Sequence, residues 1–202
     1  MKNYLIKPFI VLITFIIFLC GCSNNESKEV FKNQYDWEAY QFTSGPFSFE
    51  LPENWKEFTE MATRQTMFFT DKDVDLNEKP SNVVVEIPES SFGVENNIDY
   101  SNNKIQKDFL EFLEEMTYTN IPDLTNYQSK MVENPRVFIV EYDRMVDENT
   151  TVHQTCYYLT DKDYYSAIIY ATDFKDEMSP DINEVAMRII QTWNFDAEAM
   201  VN

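Results

Sequence analysis

The chain reads as an α+β protein: a three-layer α/β/α sandwich, with a central, mainly antiparallel sheet of about six to seven strands and a helix on each face. Three observations predict it. Strand-like segments alternate with brief polar links from Tyr35 onward, and links that short join antiparallel neighbours. Two stretches, around 105–116 and 182–193, repeat apolar residues at helical spacing. The segment 164–172 is apolar on both parities, with Ile168 and Tyr170 on one and Ala167, Ile169 and Ala171 on the other. A strand buried on both faces needs cover on both, and two helices can supply it.

Taken in order, Trp37, Tyr40 and Phe42 mark an opening strand that leads to the turn Ser44-Gly45-Pro46. Residues 47–51 alternate apolar and polar, as a half-buried strand does. Pro52 stops it, because proline cannot donate to a sheet ladder, and Trp55 folds back onto the core. Residues 65–70 (Met67, Phe68, Phe69) and 82–87 (Val83, Val84, Val85) are two further strands, the second ended by Pro88. Ile105, Phe109, Phe112, Leu113 and Met116 form the stripe of a long helix, with Ser101 or Asp99 placed to cap it. Glu111, Glu114 and Glu115 fall on its solvent side. A short strand around 127–132 precedes three clear ones at 136–146, 151–160 and 164–172. The polar links Asp147-Glu148-Asn149 and Asp161-Lys162-Asp163 make antiparallel hairpins of those three. Ser179-Pro180 opens the last helix as a cap followed by proline in the first turn. Its stripe is Ile182, Val185, Ala186, Ile189, Ile190 and Trp193.

The formal charge is −19 over 202 residues. So acidic a surface is repelled by phosphates and by anionic headgroups, which excludes nucleic acid and electrostatic adhesion to a membrane. A cationic partner fits the sign. With 16 Phe, 12 Tyr and 3 Trp the chain has ample material for a core.

The N-terminus is patterned differently. Lys2 and Lys7 precede an apolar run at 9–19 that is broken only by Thr14 and ends at the polar Ser23. A spanning helix needs about 20 apolar residues, so this run has the length of a secretory h-region and not of a permanent anchor. It closes on Leu19-Cys20-Gly21-Cys22, which resembles the lipobox of bacterial lipoproteins. That resemblance implies a signal peptide at 1–21, a diacylglyceryl thioether on Cys22 as the new N-terminus, and residence at the cell membrane, lipid-anchored on its extracytoplasmic face. Two acyl chains hold durably where one holds marginally, at about 0.8 kcal/mol per buried methylene. Residues 22–34 are polar and weakly patterned. They form a flexible tether of roughly 20 Å root-mean-square span. The globular domain then covers 35–197, with a tail at 198–202. Cys20 leaves with the leader and Cys22 is lipidated, so Cys156 has no disulfide partner within the chain.

Phe47-Ser48-Phe49-Glu50-Leu51-Pro52-Glu53-Asn54-Trp55 is similar to the opening signature of PsbP-like domains, the PsbP/Mog/DcrB-type family. The order of elements over about 35–195 is similar too. The chain departs from the pattern in holding only 3 glycines, with acids in its turns. The resemblance implies a largely non-enzymatic domain that binds a protein partner. It brings no cofactor and no catalytic motif to carry over.

Candidate chemistry is sparse. His153 is the only histidine, and Cys156 lies three residues on in the same strand. Odd spacing puts them on opposite faces with Cα atoms about 10 Å apart, so they form no dyad. They read as a strand histidine and a small buried thiol. Asp71-Lys72-Asp73-Val74-Asp75-Leu76-Asn77-Glu78 has the first three oxygens of a calcium loop. Leu76 stands where such a loop needs glycine, and Asn82 where it needs glutamate. A solvated acidic loop fits better. Tyr157-Tyr158 and Tyr164-Tyr165 cannot each form one platform, since neighbours in a strand face opposite sides. Hydrolytic carboxylates require a separation of about 5–10 Å, and among 35 acids no pair stands out. No residue is nominated as catalytic, metal-ligating or cofactor-binding. The expected function is a lipid-anchored, non-catalytic envelope protein that binds an as yet unknown protein. The alternative is a surface ligand-binding or carboxylate-dependent hydrolytic protein, or a weak Ca²⁺ binder.

Overall fold

In the computed structural model the described residues are 35–41, 47–63, 65–87, 99–160, 167–174 and 180–195. Trp37–Gln41 (β1) pairs antiparallel with Phe47–Pro52 (β2), Tyr40 opposite Phe49. After Pro52 the chain turns through Glu53 and Asn54 into Trp55–Glu57 (β3), which pairs with Thr66–Asp71 (β4). A single 3-10 turn, Leu76–Glu78, precedes Asn82–Glu86 (β5). The first helix is Asn103–Asn120 (α1). Thr125–Val132 (β6), Val137–Asp147 (β7), Thr150–Leu159 (β8) and Ala167–Asp173 (β9) follow as antiparallel neighbours. Pro180–Thr192 (α2) and the two-residue strand Asn194–Phe195 (β10) complete the described chain.

Two sheets result. Seven strands run antiparallel in the order β3-β4-β5-β9-β8-β7-β6, and a smaller sheet has the order β1-β2-β10. The second sheet corrects the expectation of one sheet that included the opening hairpin. Both edges of β2 are occupied, by β1 and β10. Pro52 ends its ladder, so the chain enters the large sheet only at Trp55, as the strand β3.

The buried residues form two clusters. In one, Ile182, Val185, Ile189 and Ile190 of α2 pack with Val137 and Ile139 of β7, Ile169 of β9, and Phe49 of β2. In the other, Phe109 and Leu113 of α1 pack with Phe138, Val140, Tyr142 and Cys156. Successive residues of β7 therefore alternate between clusters, as a pleated strand requires. The two-parity apolar character of β9 has the same cause: it lies between β5 and β8 at the centre of the sheet. Helix α2 is also fastened to the small sheet, because Thr192 Oγ1 accepts the Glu50 N–H at 2.9 Å and Arg188 Nε donates to Glu50 Oε2 at 2.7 Å.

Two details of α1 differ from expectation. Its cap is Asn102, whose side chain accepts from Lys104 N at 2.9 Å. Asp99 instead accepts from the N–H and hydroxyl of Ser101, so those two residues satisfy each other. The buried face is Phe109, Leu113 and Thr117, a strict four-residue repeat. Phe112 lies off it and is 42% exposed. Thr117 tolerates burial because its hydroxyl donates to Leu113 O at 2.6 Å.

Candidate functional site

A polar cluster among the described residues spans β7, β8 and β9. Register places His153 opposite Asp143 on β7 and opposite Asp173 on β9. Cross-strand partners share a face, so one imidazole stands between two carboxylates. Its Nδ1 meets Asp143 Oδ1, and both side chains are mostly buried. Its Nε2 is enclosed and has no hydrogen-bond partner among the described residues. Asp173 is fully buried and accepts from Ser81 Oγ at 2.8 Å.

A cavity of about 390 Å³ opens beside Ser81 and Asp173, bounded by Val74, Asp75, Glu78, Lys79, Thr150 and Phe174. The acidic loop at 71–78 builds one wall of it. That loop does not converge on a cation. Asp71 Oδ1 accepts Asp73 N at 2.9 Å, and its other oxygen accepts from Asn54 Nδ2. Asp75 Oδ1 accepts Asn77 N at 2.9 Å and caps the 3-10 turn. These carboxylates serve local N–H groups, and no group of three acidic, histidine or cysteine side chains gathers as a metal site among the described residues. Lys79 closes the turn with φ 53° and reaches Asp147 at 3.0 Å and Thr150 Oγ1 at 3.3 Å.

The chemical capacity of this cluster follows from its enclosure. An imidazole oriented at Nδ1 by a carboxylate is half of a proton relay, but the other half needs an Nε2 that substrate can reach. Here Nε2 is walled in, and the Ser81 hydroxyl is committed to Asp173. The His153–Asp143 contact ties β8 to β7, and the Ser81–Asp173 bond ties the 80–81 turn to β9. Cys156 lies in the other cluster, as the odd spacing from His153 requires. Burial pushes its thiol up to about 12, and it donates to the Tyr142 hydroxyl. It therefore holds no thiolate at neutral pH. Tyr157 and Tyr158 divide between the clusters: Tyr157 donates to Asn183 Oδ1 at 2.9 Å, and the Tyr158 ring lies 6.3 Å from Phe109. Tyr164 and Tyr165, the turn at 44–46, Pro88 and Ser179 lie outside the described residues, as do Leu19, Cys20, Gly21 and Cys22.

The Lys79–Asp147 contact yields a pH prediction. The Asn149 N–H, then Lys79 and Thr150, hold the Asp147 carboxyl at about 2, below its ordinary range. A depressed carboxyl stabilises the fold above its unfolded pKa, and that contribution is lost as pH falls toward the folded one. The melting temperature of Asp147→Asn is expected to lie slightly below wild type between pH 5 and 7. The gap should close between about pH 4 and 2 in low-salt thermal melts; a gap that is constant down to pH 2 contradicts this.

Among the described residues no helix is long and apolar enough to cross a membrane. The domain is thus an α+β fold dominated by one antiparallel sheet, with a buried Asp-His-Asp cluster in that sheet. No family model matches the chain, and no curated protein matches it. Among solved structures it is similar to a mutant of protein Mog1, at 10% identity and a TM-score of 0.49, over 81% of this chain and 98% of that one. It is also similar to the cyanobacterial PsbP (CyanoP) of Synechocystis sp. PCC 6803, at 13% identity and a TM-score of 0.45, over 79% and 92%.

Proposed function

We propose that this is a lipid-anchored, extracytoplasmic envelope protein whose PsbP-like domain binds another protein and carries out no catalysis. The observation that carries the reading is Leu19-Cys20-Gly21-Cys22 at the end of the short apolar run, followed by a polar tether. Support for a non-catalytic role comes from the enclosed Nε2 of His153 and the high thiol pKa of Cys156, which take the two most reactive side chains out of use at neutral pH. The layering we infer is a three-layer sandwich. Its support is the division of β7 side chains between the α2 cluster and the α1 cluster.

Metabolic labelling with a fatty acid tests the anchor. Label is expected on the wild-type chain in the membrane fraction, and Cys22→Ala should lose both label and membrane association. An unlabelled wild type, or a labelled Cys22→Ala, overturns the reading. Cross-linking in intact membranes tests the binding role, and the absence of any reproducible cross-linked partner would count against it. The cavity beside Ser81 favours a second reading, in which the domain binds a small ligand. Under that reading Thr150→Trp, at the cavity wall, abolishes ligand-induced stabilisation while leaving cross-linked partners unchanged.

A further inference from the structure

We propose that β6 and the flank of α1 form a strand-addition site for an extended, cationic segment of a partner protein. The inference deepens the protein-binding reading and rests on it.

The two edges of the large sheet differ. One is β3, three residues long. The other is β6, eight residues long and paired only with β7 among the described residues. An irregularity between Thr125 and Gln128, with Asn126 at φ 54°, confines the bend to the start of the strand. From Gln128 to Val132 the ladder with β7 is unbroken. A regular edge of that length presents a row of N–H and C=O groups that another strand can complete. The usual guards against such pairing are weak here. The single charge in β6 is Lys130, and Glu141 neutralises it at 2.9 Å.

Helix α1 runs beside this edge. Gln106 Nε2 reaches Glu133 Oε1 at one end, and at the other the Tyr118 ring lies 5.4 Å from that of Tyr127. The helix therefore lines the strand along its length. On the side of the helix that carries Gln106 and Glu114, Tyr118 is 44% exposed. Glu111 and Glu114 stand on that same side, both exposed. Lys107 pairs with Glu111. No cation pairs with Glu114 among the described residues, and the Glu114 charge reaches the Tyr127 hydroxyl. Main-chain pairing gives the affinity of an added strand, and its side chains give the specificity. The alternate side chains of a strand laid beside β6 would meet an acidic, partly aromatic flank. Lysine or arginine fits that flank in charge and through cation–π contact. A second copy of this chain would bring a second row of glutamates against the first, which argues against self-pairing.

The probe is a capped heptapeptide of alternating Lys and Val, with a Glu-for-Lys counterpart, titrated into the full chain in non-ionic detergent micelles. Amide hydrogen exchange reads the site. The cationic peptide should bind saturably, protect amides within 128–132 and weaken with salt; its acidic counterpart should not bind. Alternate residues of an edge strand point their N–H outward, so of Ser129→Pro and Lys130→Pro one removes only an outward donor and should melt near wild type. That variant should bind about tenfold more weakly. A double charge reversal, Glu111→Lys with Glu114→Lys, lies on an exposed helix face. It should weaken binding about threefold or more without changing the melt, and it decides the matter if both proline variants unfold. Four results would overturn the proposal: protection elsewhere than 128–132, equal binding of the acidic peptide, undiminished binding by the folded proline and charge variants, or protection of 128–132 that grows with protein concentration in the absence of peptide. If membrane cross-linking captures a partner that the folded proline variant retains, this site is wrong and the protein-binding reading stands. If wild type captures none, it is that reading that fails.

Discussion

Trp193→Ala is expected to lower the unfolding free energy by about 3–5 kcal/mol, whereas Trp193→Phe should cost about 1–2 kcal/mol. The indole is 3% exposed at the end of α2. It stacks on Phe49, with centroids 5.6 Å apart and planes 7° off parallel, and lies 5.4 Å from Phe47. It thus joins the last helix to the small sheet, and truncation leaves a void that both must collapse into. Its Nε1 is buried without a hydrogen-bond partner among the described residues, so phenylalanine gives up no bond seen there and removes an unsatisfied donor. That is why the two variants should separate. Urea unfolding with an unchanged denaturant slope checks it, since a changed slope would mean that the compared states had altered. Equal losses for the two variants would show that ring volume is not what secures this end of α2.

How much of this was legible in the sequence depends on the range of the interaction. Most elements of the large sheet were readable because each is specified locally: β5 by its valines, β9 by its double parity, and the β7–β8 hairpin by a polar link; β3, three residues at Trp55–Glu57, was not read as a strand. The strand-hairpin at Trp37–Pro52 was equally visible, but its membership of a separate sheet was not. That depends on β10, two residues after α2 with no periodicity of their own. The cap of α1 was misassigned for a different reason. Asp99, Ser101 and Asn102 are all able to cap, and only the mutual bond of the first two leaves the third for the helix. Phe112 was placed in the stripe because helical spacing admits both 109–112–116 and 109–113–117, and packing selects the second.

The polar cluster was half legible. His153 drew notice as the sole histidine, and its separation from Cys156 followed from strand parity. Its partners were missed, although hairpin arithmetic holds one of them. Counting outward from Glu148, the middle of one link, pairs His153 with Asp143; counting from Lys162, the middle of the next, gives Ala171, two residues short of its true partner Asp173. Ser81 had no such signal, because its approach to Asp173 is a tertiary contact between distant segments.

That cluster carries the second large prediction. Asp143→Ala is expected to destabilise the protein by about 1–3 kcal/mol, because it leaves a mostly buried imidazole without its hydrogen-bond partner. His153→Ala should cost a similar amount, since it strands Asp143 and removes the ring that stands opposite Asp173. The two changes together should cost less than their sum, with a coupling of about 0.5–3 kcal/mol, because the second removes a group that the first had already orphaned. Denaturant unfolding of the four proteins in the cycle measures it. Strict additivity, within about 0.3 kcal/mol, would mean that the two side chains touch without depending on each other. The comparison also separates architecture from chemistry. A group held for catalysis stores its value in reactivity, and its loss need not cost stability. A His-Asp pair whose Nε2 is sealed from solvent is useful only if the two strands it bridges come apart more easily without it.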